Sequence, residues 1–216
     1  MTFLDNQDQN ERFGFGSTPA QVIAALGVLF TLQGIPCVYY GTEQGLASHK
    51  TQRHMDDSLV REALWGKPGA FGTRGKLFQA VAALAALRSE CAPLRRGSQF
   101  FRPLSGDGHH FDLSRTPGGV LAYSRLWEGE EVLVVANMGR RSFLGEVLVD
   151  YGANAAGADW QVRWSSHARP LSPGSVLDKP VGSVSICEED GTVTSGPART
   201  LPVTVRPGEV QVLGVK

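Results

Sequence analysis

The polar run Asn6-Gln7-Asp8, with Glu11 and Arg12 just behind it, is the first place in the sequence where side chains able to handle charge crowd together. A carboxylate such as Asp8 can stabilise positive character that develops in a transition state. A neighbouring carboxamide can donate a neutral hydrogen bond, and a guanidinium can hold a ligand or orient the carboxylate. Read from its own surroundings alone, Asp8 is a loop aspartate that caps or turns the chain, and Arg12 serves as well as a solvated loop arginine. Glu43 and Gln44 follow an apolar run and either line a site or hold a loop, with the loop role expected. His49 and His54 lie five residues apart. That is not the spacing of a helical metal pair, and no cysteine or third histidine is near, so solvated histidines and no metal site are expected. His109-His110 reads the same way, in a hairpin turn.

The background to these residues is that of an ordinary globular chain. It has 216 residues, 42% of them hydrophobic and 19% charged, with 21 acidic against 21 basic groups. A formal net charge of zero offers no electrostatic reason to expect nucleic acid or an anionic membrane surface as partner. No apolar run approaches the roughly 20 residues of a membrane-spanning helix. The first residues show no basic stretch followed by an apolar one, so no signal peptide is read there, and localisation stays open. Cys37, Cys91 and Cys187 are too few and too scattered for a disulfide framework or a zinc site. Cys37 and Cys187, in apolar surroundings, are expected to be buried free thiols.

The elements that must position these residues change character partway along. Thr2 to Leu4 is a short apolar stub. Thr18-Pro19-Ala20-Gln21 has the form of a capping box with proline at the first helical position. Val22, Ile23, Leu26, Leu29, Phe30 and Leu32 then repeat with helical spacing, and Gly34 is placed to end that helix. Ile35-Pro36-Cys37-Val38-Tyr39-Tyr40 is a continuous apolar run, which suits a strand covered on both faces, as in a parallel sheet flanked by helices. Strand, helix and strand in this order make a βαβ unit. Residues 42–73 hold one short helix at most, Ser58 to Trp65, and a loop of that length is usually functional or disordered. A second helix follows, capped by Thr73, with Leu77, Phe78, Val81, Leu84, Ala85 and Leu87 as its apolar stripe. After Cys91-Ala92-Pro93 the period becomes two. Val120 to Ser124 and Glu131 to Ala136 read as strands joined through Glu128-Gly129-Glu130. Further strands are expected at Glu146 to Val149, Trp160 to Trp164, Ser183 to Ile186, Leu201 to Val205 and Val210 to Leu213, as in an antiparallel sandwich.

The opening Phe3-Leu4-Asp5-Asn6-Gln7-Asp8 resembles the motif that closes the active site of the α-amylase superfamily, where Phe-x-x-Asn-His-Asp is usual. The resemblance continues in order. Gly34-Ile35-Pro36-Cys37-Val38-Tyr39-Tyr40-Gly41-Thr42-Glu43-Gln44-Gly45 is similar to the family's eighth strand and the loop after it. Val60-Arg61-Glu62-Ala63-Leu64-Trp65-Gly66 and the helix from Arg74 resemble the approach to the last barrel helix. The β-rich remainder fits the antiparallel domain that follows the barrel. The fold so implied is α/β followed by all-β. Residues 1–92 would be the C-terminal end of a (β/α)8 (TIM) barrel, from strand seven to helix eight, an incomplete barrel remnant. Residues 93–216 would be an antiparallel β-sandwich.

The same resemblance implies a function. The family's retaining enzymes pass through an oxocarbenium-like transition state, with one carboxylate as nucleophile and another carboxyl as acid/base. The aspartate matching Asp8 is a third carboxylate, the transition-state stabiliser, at the C-terminal end of a barrel strand. Asn6, Gln7 and Arg12 are the accompanying substrate-binding candidates. Gln7 stands where the family has histidine; its amide can donate a hydrogen bond but cannot become cationic. Trp65 has a flat face suited to a sugar ring, although packing on the last barrel helix is expected. Tyr39 and Tyr40 are expected to alternate between barrel interior and helix layer, and Trp160 and Trp164 to lie in the sandwich core. The nucleophile's Gly-x-Arg-x-Asp pattern does not occur in this sequence, and Glu11 and Glu43 do not match the acid/base position. The expectation is therefore a fragment of an enzyme acting on α-glucosidic bonds of starch, maltooligosaccharides or related sugars, inactive alone, with hydrolysis and transglycosylation both open. The residues before the sandwich are far fewer than the roughly 250 of a full barrel, so a truncated frame or a chain completing a separately encoded barrel is expected. No cofactor is evident, although the resemblance allows calcium in a full-length parent. The rival reading is a non-catalytic carbohydrate-binding or structural β-sandwich module.

Overall fold

Thr18 accepts the backbone N–H of Gln21 on its hydroxyl at 3.3 Å, and the Gln21 side chain accepts the Thr18 N–H at 2.8 Å. That reciprocal cap, with Pro19 in the first turn, starts helix α1 (Pro19–Thr31) where its sequence specifies. The helix stops at Thr31, ahead of Gly34: Leu32 is already extended, its N–H still bonded to the Val28 carbonyl, and the Thr31 hydroxyl bonds the Gly27 carbonyl at 2.7 Å. Gly34 has φ +124, a backbone that side chains avoid, and carries the turn into the next strand. Strands β1 (Thr2–Phe3) and β2 (Pro36–Cys37), on either side of α1, pair in parallel with Thr2 opposite Pro36 and Phe3 opposite Cys37.

This is a computed structural model, and it describes residues 1–51, 56–114, 118–187 and 190–216. The chain forms two compact units, Met1–Ser89 and Glu90–Lys216, against a boundary read from the sequence between residues 92 and 93. The structure as a whole is mostly β with few helices.

In the first unit several expectations change. The apolar run from Ile35 to Tyr40 contributes only two residues to the ladder, because its partner strand ends where the chain turns off at Asp5. Ile35 is 72% exposed, so the run is not covered on both faces. Cys37 is exposed and Cys187 half-buried; the buried thiol is Cys91, pushed up by that burial. The segment read as a short helix from Ser58 holds a single 3-10 turn, Asp57–Leu59, whose cap is the Asp56 carboxylate accepting the Ser58 N–H at 2.9 Å. Helix α2 (Lys76–Glu90) begins at Gly75, whose carbonyl accepts the Gln79 N–H at 3.0 Å, rather than at Thr73. Of its expected stripe Leu84 is buried, Leu77, Phe78, Val81 and Leu87 are half-buried and Ala85 is exposed. Arg88 near its end donates to the Phe30 carbonyl at 2.7 Å and the Gly34 carbonyl at 2.6 Å. It thereby serves one C-terminal carbonyl of α1 that the helix itself leaves unpaired, Phe30, and one in the turn beyond it, Gly34.

The second unit opens with a short helix, α3 (Ala92–Arg96), packed on the central strands of a five-stranded antiparallel sheet. That sheet runs β3 (Ser98–Phe101), β6 (Val120–Trp127), β7 (Glu130–Asn137), β14 (Val210–Val215), β9 (Trp160–Ser165). A four-stranded antiparallel sheet faces it, in the order β10 (Leu177–Lys179), β13 (Ala198–Val205), β8 (Phe143–Val149), β4 (Leu104–Ser105). A three-stranded sheet joins β12 (Val193–Thr194), β11 (Ser185–Cys187) and β5 (His110–Phe111). Leu133, Val135, Trp160 and Leu213 from the first sheet meet Val147, Val149, Leu201, Val203 and Val205 from the second, which is the core of a β-sandwich. Trp160 is in that core as expected, and Trp164 is half-buried. The β6–β7 hairpin turns through Glu128 (φ 49) and Gly129 (φ 80), the two positive φ values of a tight two-residue turn. Glu131, 2% exposed, is the polar centre of this unit. Its carboxylate accepts from Arg102 and from the Asp150 N–H, each at 2.8 Å, and from Ser124 and Asn154. His109 and His110 lie at the β4–β5 turn, where the Asp107 carboxylate accepts both of their backbone N–H groups.

Candidate active site

The loop that leaves β1 is closed at its base before it reaches Asp8. Asp5, 2% exposed, accepts the Phe13 N–H at 3.0 Å and the Thr42 hydroxyl at 3.1 Å. Arg12, fully buried, sets its guanidinium 3.3 Å from the Asp5 carboxylate. The same guanidinium donates to the Tyr40 carbonyl at 2.6 Å, the Thr42 hydroxyl at 3.3 Å and the Val60 carbonyl at 3.4 Å. Its flat face lies 4.3 Å from the Tyr39 ring and 5.5 Å from the Tyr40 ring. Arg12 is therefore not a solvent-facing substrate contact; it is an internal clamp, and a buried guanidinium needs this many partners to offset its desolvation. Tyr39 and Tyr40 do not alternate between two layers. They sit edge to face, 4.7 Å apart, beside Arg12, and burial pushes the Tyr39 phenol up. Gly41 has φ +86, and a Cβ there would meet Leu46 at 2.5 Å, so the turn beside the clamp requires glycine.

Beyond this base the chain turns outward. Asn6 accepts the Asp8 N–H on its side-chain oxygen at 2.9 Å, an Asx turn that sets the direction of the Asp8 side chain. The Gln7 amide donates to Asp8 at 3.3 Å. Asp8 is 69% exposed and pairs with Arg61 at 3.6 Å, while Arg61 also donates to the Gln7 carbonyl at 3.5 Å and pairs with Asp57 at 3.0 Å. Lys50, hydrogen-bonded to Asp57 at 2.6 Å, and then Arg61 hold the Asp57 carboxyl below the usual carboxylate range. Asp8 borders a cleft of about 810 Å³ that Leu4, Glu11, Arg12, Phe13, Phe15 and Ser17 also line. Phe15 stacks on His49 at 3.8 Å, and the backbones of Glu11 and His49 bridge, so His49 is packed rather than solvated. His54 lies outside the described residues. Trp65 is 87% exposed and meets Phe71 edge to face at 6.5 Å; it does not pack on a helix.

The structure thus places Asp8 and the buried Arg12 on the wall of one cleft, while Asn6 and Gln7 hold Asp8 by hydrogen bonds without lining it. Sequence reasoning missed Asp5, Thr42 and Arg61. Asp5 lies inside the quoted motif but carried no role there, and nothing in the spacing of Arg61 points to Asp8. Among the described residues no cluster of histidine, cysteine and carboxylate side chains is arranged to hold a metal ion.

No family model matches the chain. By sequence it is 29% identical over 137 residues to the cyclomaltodextrin glucanotransferase of Geobacillus stearothermophilus, covering 63% of this chain and 16% of that one. It is 35% identical over 89 residues to alpha-amylase 1 of Lipomyces kononenkoae, covering 41% and 13%. Among solved structures, an α-amylase from Anoxybacillus superposes with TM-score 0.58 at 22% identity, covering all (100%) of this chain and 38% of that one. Isomaltulose synthase from Klebsiella sp. LX3 superposes with TM-score 0.63 at 16% identity, covering 100% and 42%. The chain spans less than a fifth of the length of these sequence relatives.

Proposed function

Taking as premise that its relatives by sequence and by structure are α-amylase-family enzymes, we propose that this chain is the C-terminal part of a retaining glycoside hydrolase or transglycosylase acting on α-glucosidic bonds. In this reading β1, α1 and β2 are the seventh strand, seventh helix and eighth strand of a (β/α)8 barrel, and the sandwich is its appended domain. The observation that carries the reading is the position of Asp8. It follows the C-terminal end of a parallel strand, on a loop tied to the loop after the neighbouring parallel strand, and it borders a cleft. The C-terminal ends of parallel strands are where barrels place their chemistry.

Asp8 then stabilises the positive charge that spreads over the sugar ring in the transition state, while Gln7 donates a neutral hydrogen bond to a sugar hydroxyl. The nucleophile and the acid/base belong to residues outside this chain. The test is to assay starch and maltooligosaccharides with the open reading frame that contains this sequence, with its Asp8→Asn variant, and with the 216-residue chain alone. The intact protein is expected to turn over, the variant to lose kcat by orders of magnitude while keeping its fold, and the chain alone to show nothing. Near-normal turnover in Asp8→Asn overturns the role of Asp8. Turnover by the purified chain overturns the absence of the other two groups.

A second reading, carbohydrate binding by the β unit, has an observation of its own. Phe100, Phe101 and Tyr151 are 44%, 47% and 45% exposed around a cleft of about 330 Å³ that Arg102 and Arg199 also line. Aromatic faces and guanidinium donors suit a sugar's apolar face and its hydroxyls. Tyr151→Ala should then abolish binding of maltoheptaose to the chain, measured by calorimetry, whereas Asp8→Asn should not.

A further inference from the structure

The clamp beneath the Asp8 loop has a function of its own, and the inference rests on the reading of Asp8 above. We infer that Asp5 and Arg12 are positioning residues: together they fix the loop that presents Asp8 to the substrate, and they do so by tying it to the loop after β2.

The geometry supports this in three ways. The Asp5–Phe13 segment is pinned at both ends by one carboxylate, since Asp5 accepts the Phe13 N–H at 3.0 Å and faces the Arg12 guanidinium at 3.3 Å. Asp8 sits on the span between those pins with its side chain 69% exposed, so little besides the Asn6 turn, the Gln7 amide and Arg61 holds it directly. Two buried bonds tie it to the second loop: Thr42 bonds Asp5 at 3.1 Å, and Arg12 bonds Thr42 at 3.3 Å. Backbone bonds continue the same seam, from Arg12 N–H to the Ser48 carbonyl at 2.9 Å and from Lys50 N–H to the Asn10 carbonyl at 2.7 Å. An exposed carboxylate that must meet developing charge to within a fraction of an ångström needs such a rigid foundation, because misplacement of about 1 Å can cost on the order of 10²-fold in rate.

Asp5 does not line the cleft, and Arg12, which does, is fully buried, so removal of the pair should alter placement rather than binding. The experiment uses two conservative variants, Asp5→Asn and Arg12→Lys, with circular dichroism and a thermal melt to establish that each folds. In the intact enzyme each should lower kcat on the order of 10²-fold with KM nearly unchanged. In the 216-residue chain itself, with no substrate, hydrogen exchange of the Phe13 amide should quicken by about tenfold, as loss of the charge on its acceptor in Asp5→Asn, or of the guanidinium that holds that acceptor in Arg12→Lys, implies. A folded Asp5→Asn variant with unchanged kcat overturns the inference. So does unchanged exchange at Phe13 in both variants. If Asp8→Asn keeps its turnover, the reading of Asp8 falls instead, and the exchange measurement tells the two failures apart because it requires no catalysis.

Discussion

Arg102 donates to Glu131 at 2.8 Å, and the carboxylate it reaches is closed off from solvent while the guanidinium keeps 15% of its side chain exposed. Both carboxylate oxygens are in use, one toward Arg102 and Ser124 and the other toward Asp150 and Asn154. Glu131→Ala removes the shared acceptor of a guanidinium, a hydroxyl, an amide and a backbone N–H, of which the Arg102 guanidinium and the Asn154 amide keep one other partner each. It should destabilise the β unit by about 3–5 kcal/mol, the range for breaking a buried pair from one side. Glu131→Gln keeps an acceptor and should cost less. Urea denaturation followed by tryptophan fluorescence, which Trp160 in the core reports, gives both values.

Gln7→His puts an imidazole where the amide now donates to Asp8 at 3.3 Å. In the intact enzyme, turnover should be retained within a few-fold, and the pH profile should gain a limb near the imidazole's ordinary value of about 6.5. A collapse of activity at every pH would show that the pocket is built around the amide.

Glu128 holds φ 49 at the tip of the β6–β7 hairpin, a conformation an L residue with a long side chain adopts at a cost. Glu128→Asn should stabilise the protein by about 0.5–1 kcal/mol, since asparagine tolerates this region and favours two-residue hairpin turns. The melting temperature should rise with no change in circular dichroism.

The Asp107 carboxyl is held far below its ordinary value by the His110 N–H and imidazole, then by the His109 N–H and the Ser105 hydroxyl. A depressed carboxylate contributes stability that is fully present above its unfolded value, about 3.9, and is lost only as pH falls through the lower folded one. The β4–β5 turn should therefore keep its native amide shifts at His109 and His110 through the range where ordinary aspartates protonate. An NMR titration that shows Asp107 protonating near pH 4 would contradict this.

The sequence was most readable where local chemistry decides the outcome. Thr18 and Gln21 specify their own cap, and Glu128-Gly129 its own turn, so α1 and the β6–β7 hairpin could be placed from spacing alone. Strands β3, β4, β5, β10 and β12 escaped because they are short or lack alternation, and pairing to distant strands rather than intrinsic pattern makes them strands. In the site, Asn6, Gln7 and Asp8 were legible as neighbours in sequence. The burial of Arg12 was not legible, because it depends on Tyr40, Thr42 and Val60, which lie far along the chain. Arg61 was invisible for the same reason, being 53 positions beyond Asp8 (61 − 8).

The parallel pair of β1 and β2 has a consequence for handling the molecule. Among the described strands each pairs only with the other, so each presents an outer edge of backbone donors and acceptors. Phe3 beside one edge is 47% exposed and Ile35 beside the other 72%. Open edges flanked by apolar side chains are templates for further strands, and one copy of the chain can supply them to another. Colloidal behaviour thus becomes an assay: concentration-dependent turbidity of the purified chain, suppressed by Ile35→Lys, would count the hydrogen bonds that this small ladder still has to offer.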